Sequence, residues 1–121
     1  MNVLLVDNAS KTRQSMKALL EIWFSLEQVR EASDGTEAVQ QAGEFQPDLI
    51  LMEVRMPTLS GLEATRQIKA RWPQIKIVIL SLYTDYRELA MEVGADGFMC
   101  KSEPPEILHD LLKKLLGLEN V

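Results

Sequence analysis

Leu49, Ile50, Leu51 and Met52 form an uninterrupted apolar run bracketed by Pro47 and Pro57 in the stretch PDLILMEVRMP. A strand with one wet face alternates apolar and polar residues, whereas a strand covered on both faces does not. The run therefore predicts a central strand of a parallel sheet. It ends in Glu53, and a loop carrying Pro57 and Gly61 follows. In open α/β sheets, ligands and chemistry sit beyond the carboxyl ends of the strands, so Glu53 is the first candidate for function. An acid that directly ends a buried run also needs a partner or a job.

The rest of the chain repeats this unit. Val3–Val6, Ile77–Leu80 and Gly97–Cys100 are further short apolar runs, and Val29–Ala32 is polar enough for a strand at the sheet edge. Helical stretches lie between them. Ser10 is expected to cap the first, whose stripe is Met16, Leu19, Leu20 and Trp23. Asp34 with Glu37, and Ser60 with Glu63, have capping-box spacing. They open a helix to about Gly43 and one striped by Leu62, Thr65, Ile68 and Trp72 that Pro73 closes. Asp85 is expected to cap a short helix to Gly94, and Pro104 and Pro105 suit the first turn of the last helix. The stripe of that helix is Ile107, Leu108, Leu111, Leu112, Leu115 and Leu116. A β-α unit repeated in this way predicts a parallel sheet with helices on both faces, joined by right-handed crossovers. One domain is expected over residues 1–118, with 119–121 as the start of a linker or tail.

Several function classes are disfavoured. The net charge of −5 argues against direct nucleic-acid binding by this segment. A lone cysteine, Cys100, excludes an internal disulfide framework and fits a reducing compartment. The start MNVLLVDN has no basic region, and no run approaches the roughly 20 apolar residues of a membrane span. A soluble, cytoplasmic protein without a membrane partner is expected.

Strand ends gather the polar residues. Asp7-Asn8, Glu53, Ser81 and Lys101 each close a run, and parallel strands bring them to one edge of the sheet. Carboxylates can hold a divalent cation or act as a nucleophile, while a hydroxyl and an ammonium can take phosphoryl oxygens. Singly, each has a plainer reading: Asp7 as a helix cap, Ser81 as an ordinary strand end, Lys101 as a solvated surface charge. Together at successive strand ends they point to a phosphoryl and cation site.

The segments VLLVDN, EASDGTEAV, PDLILMEVRMP, SGLEATRQIKARWP, IVILS and GADGFMCKSEPPEIL, in this order and spacing, resemble the receiver domain of bacterial two-component response regulators. The last helix looks most like receivers joined to a LuxR/NarL-type helix-turn-helix output domain. The resemblance implies a flavodoxin-like doubly wound (βα)5 fold with strand order 2-1-3-4-5. It also implies that Asp7, Asn8, Glu53 and the backbone carbonyl of Arg55 stand at the Mg²⁺ positions. Glu53 stands at the phosphoacceptor position, Ser81 and Lys101 at the phosphoryl-binding positions, and Ser81 with Phe98 at the switch. Implied partners are a histidine kinase or other regulatory protein, and a second copy through the face of the fourth helix, fifth strand and fifth helix.

Three positions depart from the pattern, and each acts against phosphorylation. Asn8 replaces an acid, which leaves only a neutral carbonyl for a hard cation. Glu53 replaces the acceptor Asp and moves its carboxylate outward by about 1.5 Å. Leu82 replaces a small residue and narrows the approach of a phosphodonor. The expectation is an atypical receiver that is not an enzyme, binds Mg²⁺ weakly, and regulates a DNA-binding output domain. The alternatives are a working phosphoacceptor with Mg²⁺-dependent phosphotransfer and autophosphatase chemistry, and an unrelated flavodoxin-like small-molecule or flavin binder. The last lacks a phosphate loop, since Asp7-Asn8-Ala9 follows the first strand.

Overall fold

The computed structural model describes residues 1–118. The expected linker at 119–121 lies outside the described residues. Five strands form one parallel sheet: β1 (Asn2–Val6), β2 (Gln28–Ala32), β3 (Leu49–Glu53), β4 (Lys76–Ser81) and β5 (Gly97–Cys100), in the order β2-β1-β3-β4-β5. Five helices alternate with them: α1 (Ser10–Trp23), α2 (Gly35–Phe45), α3 (Gly61–Arg71), α4 (Arg87–Glu92) and α5 (Pro105–Leu115). This is the flavodoxin-like order, with the reversal between β1 and β3.

Strand parity explains the two cores. Leu4, Val6, Ile50, Met52, Ile77 and Ile79 pack toward α2, α3 and α4. Their neighbours Val3, Leu5, Leu49, Leu51, Val78 and Leu80 pack toward Leu20 of α1 and Leu108 and Leu112 of α5. Both faces are covered, which is why the central strands carry no alternation. β2 lies at the edge and keeps only Ala32 buried, as its polarity predicts.

Helix starts follow the capping chemistry in part. The Asp34 carboxylate accepts the Glu37 N–H at 2.8 Å, and the Ser60 hydroxyl accepts the Glu63 N–H at 3.2 Å. Two expected caps are corrected. Ser10 is already inside α1, where Ala9 is the N-cap without a side-chain bond. Asp85 lies in a 3₁₀ turn over Thr84–Tyr86, and α4 begins only at Arg87. Pro105 opens α5 as expected, but Ile107 is 45% exposed and does not belong to the buried stripe. α2 runs to Phe45, two residues past Gly43.

Two glycines bring loops close to the sheet end. A Cβ on Gly61 would lie 1.8 Å from the Glu53 carbonyl oxygen, and one on Gly35 would lie 1.9 Å from that of Leu59. The β3–α3 loop is therefore pressed against both β3 and α2. Among the described residues, no helix is long and apolar enough to cross a membrane.

Candidate functional site

The carboxyl end of the sheet holds a compact charge cluster. The Lys101 ammonium donates to Asp7 Oδ2 and to Glu53 Oε1, each at 2.7 Å. Asp7 is 6% exposed and Lys101 is largely covered, so both pairs sit away from bulk solvent. The other carboxylate oxygens are also occupied: Asp7 Oδ1 accepts the Ala9 N–H at 2.9 Å, and Glu53 Oε2 accepts the Val54 N–H at 2.6 Å. Burial lowers the Lys101 pKa, but the bonds and charges of Asp7 and Glu53 outweigh it, so the ammonium is held above its ordinary value.

Parity places these groups. Glu53 continues the row of Leu49 and Leu51 on the α1/α5 side, while Ser81 continues the row of Ile77 and Ile79 on the other. Ser81 is fully buried, and its oxygen accepts the Tyr83 N–H at 3.2 Å. The second donor to Glu53 is thus the backbone of Val54 and not the Ser81 hydroxyl. Asn8 is exposed beside Asp7, and Leu82, which follows Ser81, is 61% exposed. Phe98 is packed inward at 7% exposure, with the Arg87 guanidinium 4.8 Å from its ring centroid.

Sequence reasoning missed two arginines. Arg13 donates to the Asp7 carbonyl and, at 2.7 Å, to Glu31, so it packs a second cation against the acidic end. An arginine in the first turn of an amphipathic helix reads as a solvated charge, and nothing in the sequence marks it. Arg55 was singled out for its carbonyl, yet its side chain is the informative part. Its guanidinium lies 3.9 Å from the Tyr83 ring centroid, and its Nε donates to the Tyr86 hydroxyl at 3.0 Å. Asp7, Arg13, Thr12 and Glu53 line a cleft of only about 10 Å³, room for roughly one water molecule.

The sequence pattern of the response regulator receiver domain matches residues 3–113. The chain belongs to this family. It is 35% identical over 121 residues to the response regulator protein VraR of Staphylococcus aureus, an alignment covering 98% of this chain. The chain spans 58% of the length of that relative. A LuxR-family two-component response regulator from Aurantimonas superposes with a TM-score of 0.89 at 30% identity, covering 96% of this chain and 84% of that one. The receiver domain of the sensor histidine kinase PA1611 from Pseudomonas aeruginosa superposes at 0.83 with 28% identity, covering 96% and 97%. That receiver has a magnesium ion coordinated in its active-site cleft.

Receiver domains bind Mg²⁺ at this position, so the residues present can be tested against the ion. As the side chains stand, they do not fit it. The two carboxylates share one ammonium, their remaining oxygens hold backbone N–H groups, and Asn8 adds no charge. Among the described residues, no group of three or more acidic, His or Cys side chains is placed to hold a metal ion.

Proposed function

We infer that this receiver domain regulates by protein contact without being phosphorylated, with Glu53 and Lys101 closing the site that a phosphoryl group and a cation occupy in other receivers. The observation that carries this is the Lys101 ammonium bound to both carboxylates at 2.7 Å. In-line phosphoryl transfer depends on positioning and electrostatics, and an error near 1 Å costs on the order of a hundredfold. The extra methylene of Glu53 exceeds that tolerance. Mimicry of phosphoaspartate is limited, since Glu carries one negative charge against about −1.5 to −2 for a phosphoryl group. Glu53 thus acts chiefly as a lock. Mg²⁺ binds weakly, because it must displace Lys101 from two carboxylates. Residues 1–118 form the regulatory unit, placed before a DNA-binding output domain, a reading supported by the LuxR-family likeness and the greater length of the relatives.

The second reading, phosphotransfer, is supported by the 2.7 Å pair of Asp7 with Lys101 and by the burial of Ser81. Incubation with a small acyl phosphate and Mg²⁺, read by intact mass, separates the two. No stable adduct is expected. A gain of one phosphoryl group that disappears in Glu53→Gln overturns the first reading. The variant carrying Glu53→Asp and Asn8→Asp is expected to gain reactivity, with Leu82→Ala added to open the entrance. If that triple variant stays inert, the departures at these positions are not what silences the site.

A further inference from the structure

Arg55 joins the two loops that flank Glu53. On its own side, the β3–α3 loop is fixed from several directions. Gly61 N–H donates to the Val54 carbonyl at 2.8 Å, Leu59 N–H to the Pro57 carbonyl at 2.8 Å, and the Thr58 hydroxyl to Asp34 at 3.2 Å. The close approaches of Gly35 and Gly61 to the loop leave it little room to shift.

The β4–α4 loop is different. Residues 82–85 are all exposed, and the 3₁₀ turn over Thr84–Tyr86 has no side-chain cap. Few buried contacts hold such a segment, which places it at the easily opened end of the local stability range. Its two aromatic rings meet edge to face, Tyr83 and Tyr86 having centroids 6.3 Å apart. Arg55 closes on both: 3.9 Å to the Tyr83 centroid, 5.8 Å to that of Tyr86, and a 3.0 Å hydrogen bond from Nε to the Tyr86 hydroxyl. A planar guanidinium suits this combined stacking and donation in a way an ammonium does not. The hydrogen bond to Tyr86 also holds the Arg55 pKa above its ordinary value.

Tyr83 carries the restraint inward. Its backbone N–H donates to the Ser81 oxygen at 3.2 Å, so fixing the Tyr83 ring also fixes the backbone that holds the switch hydroxyl. We propose that Arg55, held by Tyr83 and Tyr86, is a latch that ties the β4–α4 loop to the β3–α3 loop and holds the Ser81 end of β4 in one conformation without a phosphoryl group. Where phosphorylation ties these loops through a shared anion, here a side chain of the chain itself does so. The inference rests on the reading of this domain as independent of phosphate. It assigns to Tyr83 and Tyr86 a role within the domain.

Amide hydrogen exchange on the whole chain tests the latch, comparing wild type with Arg55→Ala, Tyr83→Leu and the double variant. Both substituted positions are exposed, and unchanged protection of the β1 and β3 amides reports an intact fold. Arg55→Ala is expected to speed exchange at residues 82–86 by about tenfold, through the loss of its contacts with both rings and of one hydrogen bond. Tyr83→Leu should do the same, and the double variant should be no faster than the faster single one. Unchanged exchange in Arg55→Ala overturns the latch, as do single effects that multiply in the double variant. The phosphodonor assay on wild type is independent of this outcome. A chain that takes phosphate yet loosens in Arg55→Ala keeps the latch and loses the phosphate-free reading.

Discussion

Lys101 faces two carboxylates, so removing it and removing one of its partners are different perturbations. Lys101→Met leaves Asp7 and Glu53 both uncompensated in a largely covered site, and should destabilise the fold by about 3 kcal/mol. Glu53→Ala leaves the Asp7 pair in place and should cost about 1 kcal/mol. Urea unfolding of both variants at neutral pH checks the order, and equal losses would contradict the shared-ammonium geometry. The pH dependence has a definite sign. Burial opposes the charge on Lys101, but its two partners raise its folded pKa above the ordinary value of 10.5. The pairs therefore contribute fully below 10.5, and their contribution is lost as pH rises through the folded value. The stability gap between wild type and Lys101→Met should be constant around neutrality and shrink in strong alkali. The shared edge of Glu53 and Lys101 was legible in the sequence, because both residues end parallel strands. That Asp7 binds the same ammonium depends on side-chain row and reach, which the sequence does not display.

At the scale of elements, the strands were the most legible part, since continuous apolar runs have one explanation in a doubly wound sheet. Helices were legible where a side chain caps them, as at Asp34 and Ser60, and obscure where backbone geometry alone starts them, as at Ala9 and Tyr86. Ile107 has the right spacing for the α5 stripe, yet it lies at the rim of that stripe, beside Leu108, which is buried. Gly61 shows what a motif hides. In the sequence it reads as a loop residue before a helix, but its role is close approach. A methyl group there meets the Glu53 carbonyl oxygen at 1.8 Å, and α3 must move away from β3 to admit it. Gly61→Ala should therefore cost about 3 kcal/mol, at the upper end of ordinary overpacking, despite the better helix propensity of alanine. Denaturant unfolding checks this, and a loss below about 1 kcal/mol would mean that the loop adapts freely.

For the whole molecule, the question is which surface passes the state of the site to a partner. The two cores cover both faces of the sheet, and β5 ends one edge, flanked by α4 and α5. Large apolar side chains left exposed on these two helices are Leu89 and Met91 on α4 and Ile107 at the start of α5, 45%, 51% and 45% exposed. Between these helices Arg87 covers the buried Phe98 ring and lies 3.8 Å from Glu103, so the face pairs apolar positions with an ion pair. Such a mixture of apolar anchors and charges is what an interface between folded domains uses. Tyr83 and Tyr86, by contrast, are engaged with Arg55 and contribute less to a partner. If this face joins two copies, Met91→Glu and Ile107→Glu should each weaken self-association at least about tenfold, the loss of roughly 1.4 kcal/mol per contact. Ile22→Glu, at a 77% exposed position on α1 across the sheet from α4, should leave it unchanged. Sedimentation equilibrium over a concentration series reads all three. Self-association that survives both substitutions would remove the interface from this face, and self-association that fails in Ile22→Glu instead would place it on the α1 side.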